Sequence, residues 1–148
     1  MNDSSAVTTL AFAQAGGSSA PRPASTANIL LIEHVDDCAD ALEVLLGGLP
    51  RVRTVRAAST AQLALADIKL GHAPDVILLG SCAETHALVA TIQALRAVAP
   101  SAAIVLLSLY PEALSADVAT LVDAAISKDT RRVELVELLA RLRGSRRP

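Results

Sequence analysis

Residues 74–80 read Pro-Asp-Val-Ile-Leu-Leu-Gly, four apolar residues enclosed by a proline–aspartate pair and a glycine. A short apolar run between turn-forming residues predicts a strand that is buried on both faces of a sheet. Further runs of this kind lie on both sides of it in the chain. The five predicted strands are residues 29–33, 52–57, 76–80, 103–108 and 124–127.

Stretches with helical spacing separate these strands. Leu42, Leu45 and Leu46 form one apolar stripe after the first strand, and a similar stripe follows the third. The alternation predicts an α/β fold in which five βα units, (βα)5, build a doubly wound parallel sheet. Ligands of such sheets bind beyond the carboxyl ends of the strands, so candidate functional residues should be sought there.

The composition limits the classes of protein that the chain can belong to. It has 148 residues, 52% of them hydrophobic, and a net charge of −2, which fits one soluble domain with a core. Phe12 and Tyr110 are its only aromatic residues, so nucleic-acid binding by base stacking is disfavoured. Two cysteines, no export signal and no long apolar stretch predict a reducing cytoplasm and no membrane span.

The chain divides into three predicted parts. Residues 1–27 are rich in Ser, Ala, Gly, Thr and Pro, which predicts a disordered N-terminal tail. Residues 28–143 hold all five predicted strands and form the predicted domain. Residues 144–148 form a short basic tail.

Polar or small residues stand where the predicted strands end. Glu33 and His34 close the first strand, Gly80 the third, and Ser108 the fourth, while Lys128 follows the fifth. Because the carboxyl ends of parallel strands share one edge of the sheet, the sequence predicts that these five positions are neighbours.

In this order the segments resemble a receiver (CheY-like) domain of two-component response regulators. The resemblance covers about residues 28–143 and rests on residues 29–36, an apolar run followed by acidic residues, on 103–108 with its serine, and on 123–128 with its lysine. It implies a flavodoxin-like sheet of strand order 2-1-3-4-5 and phosphoryl transfer to an aspartate at the end of the third strand. Gly80 stands there instead, so the chain resembles a degenerate variant, a pseudo-receiver without the acceptor aspartate.

Other positions of the site also differ from those that the resemblance implies. His34 replaces one acid of the usual pair, and Ala125 stands where an aromatic switch residue is usual. Mg²⁺ prefers several oxygen ligands, so with Glu33 as the single carboxylate its binding should be lost or weak, and no cofactor is expected. Because Glu33 and Lys128 together are neutral, we expect Lys128 to reach toward Glu33 or a backbone carbonyl near Gly80 and to hold the site in one state.

Other acids do not suit the role of acceptor. Asp75 begins the third strand, so its carboxylate should lie near the opposite end of the sheet. Asp36 and Asp37 fit the first turn of the first helix, where they would cap it or remain solvated. The sequence therefore offers no well-placed substitute for the missing aspartate.

Two further kinds of chemistry remain as alternatives. A transition-metal site built from Glu33, His34, Cys82 and His86 has no supporting motif spacing. A nucleophilic Cys82 beside His34 has equally little support, because a cysteine and a histidine are often neighbours by chance and a cysteine near a strand end is most often a packing residue. Packing and solvation explain these side chains at least as well.

We therefore expect a stand-alone bacterial signalling module that is not an enzyme and acts by binding proteins. The resemblance implies a docking face made of the fourth helix, fifth strand and fifth helix, with Tyr110, Arg131 and Arg132 as candidate contact residues. The expected partner is a histidine kinase, a phosphotransfer protein, a regulator or a second copy forming a homodimer.

The alternative is a phosphorelay component that binds a kinase or phosphotransfer protein competitively or uses a non-standard acceptor. A flavodoxin-like enzyme or nucleotide binder fits less well, because the chain has no glycine-rich phosphate loop.

Overall fold

The computed structural model describes residues 7–11, 26–80 and 85–145 of the chain. The strands are β1 (Val7–Ala11), β2 (Ala27–Ile32), β3 (Val52–Ala58), β4 (Val76–Gly80), β5 (Ala103–Ser108) and β6 (Ala124–Ser127). The helices are α1 (Asp36–Gly47), α2 (Ala61–Lys69), α3 (Thr85–Val98), α4 (Ala116–Ala119) and α5 (Arg132–Ser145), with a 3-10 turn at Pro111–Ala113. Among these residues no helix is both long and apolar enough to cross a membrane.

The sheet confirms the predicted parallel topology. Strands β2 to β6 run parallel in the order β3-β2-β4-β5-β6, which is 2-1-3-4-5 when the parallel strands are counted alone. The predicted bounds of the last three strands agree with β4, β5 and β6. The first predicted strand corresponds to β2, which begins two residues earlier than predicted and ends at Ile32, so Glu33 lies just beyond it.

A sixth strand corrects the prediction for the N-terminal segment. β1 pairs antiparallel with β3 at the outer edge of the sheet, with Val7 opposite Ala58 and Ala11 opposite Thr54. The predicted disordered tail at residues 1–27 is therefore wrong for Val7–Ala11, and wrong at Ala27, where β2 begins. An edge strand offers unpaired backbone groups, and a short segment such as Val-Thr-Thr-Leu-Ala can satisfy them despite its small apolar content.

The core consists of two apolar layers, one on each face of the sheet. Val76 and Leu78 of β4 pack into the layer beneath α1 and α5, whereas Ile77 and Leu79 pack into the layer beneath α2 and α3. All four side chains are buried. A strand covered on both faces explains why residues 74–80 show a continuous apolar run and no alternation.

The fourth helix is short. Pro111 opens a 3-10 turn, and α4, which follows it, has only four residues. Of the two alternatives for Asp36 and Asp37, capping α1 or remaining solvated, the structure shows the second, because Val35 occupies the N-cap position without a side-chain hydrogen bond. Asp36 and Asp37 lie exposed in the first helical turn, where their charges favour the helix dipole.

Candidate functional site at the carboxyl edge of the sheet

The five predicted strand-end positions come together as the topology requires. The pairing of Ile32 with Leu79 brings the residues that follow them, Glu33 and Gly80, side by side. Ser108 pairs with Ser127, and the Lys128 backbone N–H donates to the Ser108 carbonyl at 2.9 Å.

Glu33 and Lys128 form a buried ion pair at the centre of this edge. Lys128 Nζ lies 3.1 Å from Glu33 Oε1, which confirms the predicted contact. The Glu33 side chain is fully buried and that of Lys128 is 12% exposed. No aligned hydrogen bond from the described residues reaches Oε1, so its compensation is the charge of the ammonium group. The second oxygen, Oε2, accepts the Val35 N–H at 3.1 Å.

Gly80 provides the space that the Glu33 carboxylate fills. A Cβ atom built on Gly80 would overlap Glu33 Oε1 and lie 3.0 Å from Glu33 Cδ. It would also lie 3.2 Å from the Ile32 carbonyl oxygen, a backbone atom that cannot easily move. The φ angle of Gly80 is not positive, so the requirement for glycine is steric. The carboxylate of Glu33 thus occupies the position into which a side chain at residue 80 would point.

Ser108 and His34 flank the ion pair. Ser108 is buried, and its Oγ accepts the Tyr110 N–H at 3.0 Å, which uses the hydroxyl to hold the turn after β5. His34 is half exposed, with Nδ1 at 3.5 Å from Glu33 Oε2. Neither side chain adds a carboxylate to the site.

The site does not fit a Mg²⁺ ion held by carboxylates. Among the described residues the site contains one carboxylate, that of Glu33, which Lys128 already neutralises, and Asp36 and Asp37 are exposed on α1. In the part of the chain that is described, no three His, Cys, Asp or Glu side chains cluster as metal ligands would. The side chains of Cys82 and His86 lie outside the described residues, so the alternative metal site and the cysteine nucleophile stay predictions.

The predicted interaction residues lie near the outer strand β6. Tyr110 is 67% exposed after β5, and Arg131 is exposed before α5. Arg132 donates from Nη2 to the Gly48 carbonyl at 2.9 Å, so its guanidinium is engaged within the fold. Ala125 of β6 is half-buried and, with Pro111, lines a cleft of about 370 Å³ beside α5.

A second buried carboxylate lies toward the opposite edge of the sheet, and sequence reasoning missed it. Asp67 of α2 is 3% exposed and accepts two hydrogen bonds from Arg56, the one from Nε measuring 2.7 Å. His72 Nδ1 lies 2.8 Å from its Oδ1. Burial alone would raise the pKa of Asp67, but the hydrogen bonds and charges of Arg56 and His72 outweigh it and lower that pKa.

The sequence did contain a signal for this cluster. Asp67 lies between Ala64 and Ile68 on the buried face of α2, where a charged residue needs a partner. Asp75 is also at this end, as predicted, with Oδ2 accepting the Asn28 N–H at 2.8 Å. Its carboxylate is therefore remote from the carboxyl edge.

Comparison with solved structures places the fold among receiver domains. A CheY-like receiver domain from Methylobacillus flagellatus is 20% identical, with a TM-score of 0.68 over 80% of this chain and 99% of that one. A response regulator from Thermotoga maritima is 18% identical, with a TM-score of 0.69 over 79% and 97% of the two chains.

A third similar structure bears a different description. A putative pilus assembly-related protein from Burkholderia pseudomallei is 22% identical, with a TM-score of 0.67 over 79% of this chain and 89% of that one. No protein-family model matches the sequence. No curated protein matches it either. At these identities the likeness establishes the fold alone.

Proposed function

We propose that this chain is a pseudo-receiver, a signalling module that works through protein–protein contacts without phosphorylation of an aspartate. The observation that carries the proposal is the position of Glu33, whose carboxylate fills the space beside Gly80 and pairs with Lys128 at 3.1 Å. The site is thereby neutral and filled in the absence of phosphate and metal.

The geometry argues against an acyl phosphate at Gly80, Glu33 or Asp75. Gly80 has no side chain to phosphorylate, and the Glu33 carboxylate is fully buried, so a phosphoryl donor cannot approach it in line. Asp75 accepts a backbone hydrogen bond at the other end of the sheet. Glu33 and Lys128 sum to zero charge, which removes the electrostatic demand for Mg²⁺.

We place the docking surface on β6 and the segments beside it. Among the described strands β6 pairs only with β5, so its outer edge is open. Leu109, Tyr110 and Val133 expose 59%, 67% and 58% of their surface nearby, although large apolar side chains usually lie inside. The short α4 makes this face smaller than a regular fourth helix would, and it favours a compact protein contact or a second copy of the chain.

The runner-up function is competitive binding within a phosphorelay. Val35 and Leu109 are exposed apolar residues on loops at the carboxyl edge, beside the filled site. A kinase or phosphotransfer protein that recognises this edge could bind the chain but could not transfer a phosphoryl group to residue 80, so the chain would compete with phosphorylatable receiver domains. A protein described as pilus assembly-related has the same fold. This likeness is compatible with a partner outside two-component regulation as much as with a kinase.

Incubation with acetyl phosphate and Mg²⁺ tests the absence of phosphorylation. Intact-mass spectrometry should show an unmodified chain, whereas a conventional receiver domain treated in parallel should gain one phosphoryl group. A labelled wild-type chain whose phosphate maps to any acidic side chain would contradict the proposal. A Mg²⁺ titration followed by backbone amide shifts at Glu33 and Lys128 supplies the second reading.

Affinity capture tests the docking surface and separates the two functions. Tyr110→Ser should weaken capture of the partner or self-association measured by light scattering, because it removes an exposed aromatic anchor. Val44→Ser is the matched control, since Val44 is 77% exposed on α1. Capture of a histidine kinase that is weakened by Val35→Ser but unaffected by Tyr110→Ser would favour the runner-up.

A further inference from the structure

A cleft of about 450 Å³ opens at the amino end of the sheet, on the side of β2 and β3 away from the filled site. Its walls come from the first residues of β2, from β3, and from α2 with the loop that follows it. The volume lies in the range of pockets that hold small molecules, roughly 300 to 1,000 Å³. No residue of the Glu33–Lys128 site lines it.

A β-bulge delivers Arg53 to this cleft. Ala27 pairs with Val52 while Asn28 pairs with Thr54, so Arg53 is the extra residue between two paired positions. Bulges are over-represented next to functional sites. Arg53 is exposed and lines the cleft, and it has no hydrogen bond or ion pair with the described residues.

The other charges of the cleft are balanced among themselves. Arg56 and Asp67 form a bidentate pair in the wall of the cleft, and His72 contacts the same carboxylate. Among the residues that line the cleft, two guanidinium groups face one carboxylate, and Asp67 is paired with Arg56, so Arg53 is the cation without a carboxylate partner there. The Asp75 carboxylate does not line the cleft, and it accepts the Asn28 backbone N–H at 2.8 Å.

The neutral polar group of the cleft is also arranged as a donor. Thr54 Oγ1 donates to Asn28 Oδ1 at 2.9 Å, which occupies the amide oxygen and orients the side chain. The NH₂ group of Asn28 has no hydrogen-bond partner among the described residues. An unpaired guanidinium and an unpaired amide NH₂ in one cleft form a donor set suited to an oxyanion.

We infer that this cleft binds a small organic anion, a carboxylate or phosphate group attached to a compact body. The oxyanion would take hydrogen bonds from Arg53 and Asn28, and the body would contact the apolar wall at Ala73 and Pro74. The Arg56–Asp67 pair lines the same cleft, and its hydrogen bonds hold both side chains in place. The inference is independent of the proposed pseudo-receiver function, because the two sites share no residue.

Backbone amide shifts of the full chain at low ionic strength test the inference. The probes are inorganic phosphate, glycerol 3-phosphate and citrate, with glycerol as the neutral control. Saturable shifts at Asn28, Thr54 and Gly71 are expected with at least one anion and not with glycerol. Glycerol 3-phosphate binding more tightly than citrate would assign the ligand to phosphate esters, and the reverse order would assign it to carboxylates.

Two variants and a matched control make the result decisive. Arg53→Gln should weaken binding about tenfold, the effect of losing one charge-assisted hydrogen bond. Asn28→Asp keeps the acceptor for Thr54 but puts a negative charge in the donor position, and it should weaken binding at least as much. Lys69→Gln removes a nearby exposed charge that does not line the cleft, and it should change the affinity less than about twofold. Equal losses in Arg53→Gln and Lys69→Gln, or no saturable shift with any anion, would overturn the inference.

Discussion

The two ends of the sheet each bury one carboxylate, and they satisfy it differently. At the amino end, Asp67 receives two aligned hydrogen bonds from Arg56 and a contact from His72. At the carboxyl end, Glu33 meets Lys128 through one oxygen that receives no aligned hydrogen bond, and the second oxygen accepts a backbone N–H. The first carboxylate is held by directional bonds, and the second is held by charge and by the shape of the space beside Gly80.

This difference shows two ways in which a fold can hold a buried carboxylate. A planar guanidinium matches both oxygens of a carboxylate, whereas an ammonium group acts as a point charge. Asp67 is consequently a rigid structural element. The buried Glu33 carboxylate needs the charge of Lys128 and the space left by the missing side chain of Gly80. A substitution at any of these three positions should therefore change the stability effect of a substitution at the other two.

The largest effect is expected from Arg56→Met. It leaves Asp67 buried with only His72, and losing one partner of a buried ion pair costs about 3 to 5 kcal/mol of unfolding free energy. Urea denaturation measures it. Arg53→Gln on the same strand is the control and should change stability by less than about 0.5 kcal/mol, since Arg53 is exposed and unpaired.

The pH dependence of the stability of Arg56→Met tests whether Arg56 acts through the charge of Asp67. The pKa of Asp67 is lowered in the native state, so its stabilisation is present above its usual value of 3.8 and is lost as the pH falls through the lowered native value. The gap between wild type and Arg56→Met should therefore be widest near neutral pH and should narrow in acid. A gap that stays constant down to acid unfolding would show that Arg56 contributes by packing alone.

Lys128→Met should be next in size. It keeps much of the apolar stem but leaves the Glu33 carboxylate buried without a countercharge, at a cost of about 2 to 4 kcal/mol. Adding Glu33→Gln should recover most of the loss, because a neutral amide no longer needs the cation. If the double variant is as unstable as the single one, Lys128 stabilises the edge by some contact other than the ion pair.

Gly80→Ala probes the space at the carboxyl end. The new Cβ would displace Glu33 Oε1 and crowd the Ile32 carbonyl, which should cost about 1 to 3 kcal/mol. Gly48→Ala is the matched control, since the nearest atoms to a Cβ there lie 3.8 Å away or more. Thermal unfolding of the two variants should differ clearly, and equal melting temperatures would contradict the steric role of Gly80.

Glu43→Gln should have the smallest effect, with the opposite sign. Glu43 of α1 is buried with Oε2 unpartnered, and burial, aided by the charge of Asp40, raises its pKa above the usual 4.5. Wild type therefore loses stability as the pH rises from 4.5 through the raised value. The glutamine variant should match wild type in acid and be about 1 kcal/mol more stable at neutral pH, as chemical denaturation at the two pH values can show.

The carboxyl edge was largely predictable because parallel strands that end in polar residues must present them together. Glu33, Gly80, Ser108 and Lys128 each follow a recognisable apolar run, so topology alone makes them neighbours. The predicted pairing of Glu33 with Lys128 followed from their opposite charges. The complete burial of the Glu33 side chain could not be predicted, because it depends on how that side chain packs over Gly80.

The amino end was less accessible to sequence reasoning. Arg56 and Asp67 belong to different elements, and nothing in their spacing shows that they meet. The bulge at Arg53 arises from the pairing of β2 with β3, which no local pattern encodes. β1 was missed because five residues within a Ser-, Ala- and Gly-rich segment carry too weak a strand signal to outweigh its composition.

The close fit of Glu33 against Gly80 couples the residue choices at these two positions. An aspartate placed at residue 80 alone would meet a carboxylate already in its place, and a shortened Glu33 alone would leave Lys128 facing a void. Each single substitution is therefore expected to give a less stable protein, so an acidic side chain at residue 80 would be accommodated only together with a change at Glu33.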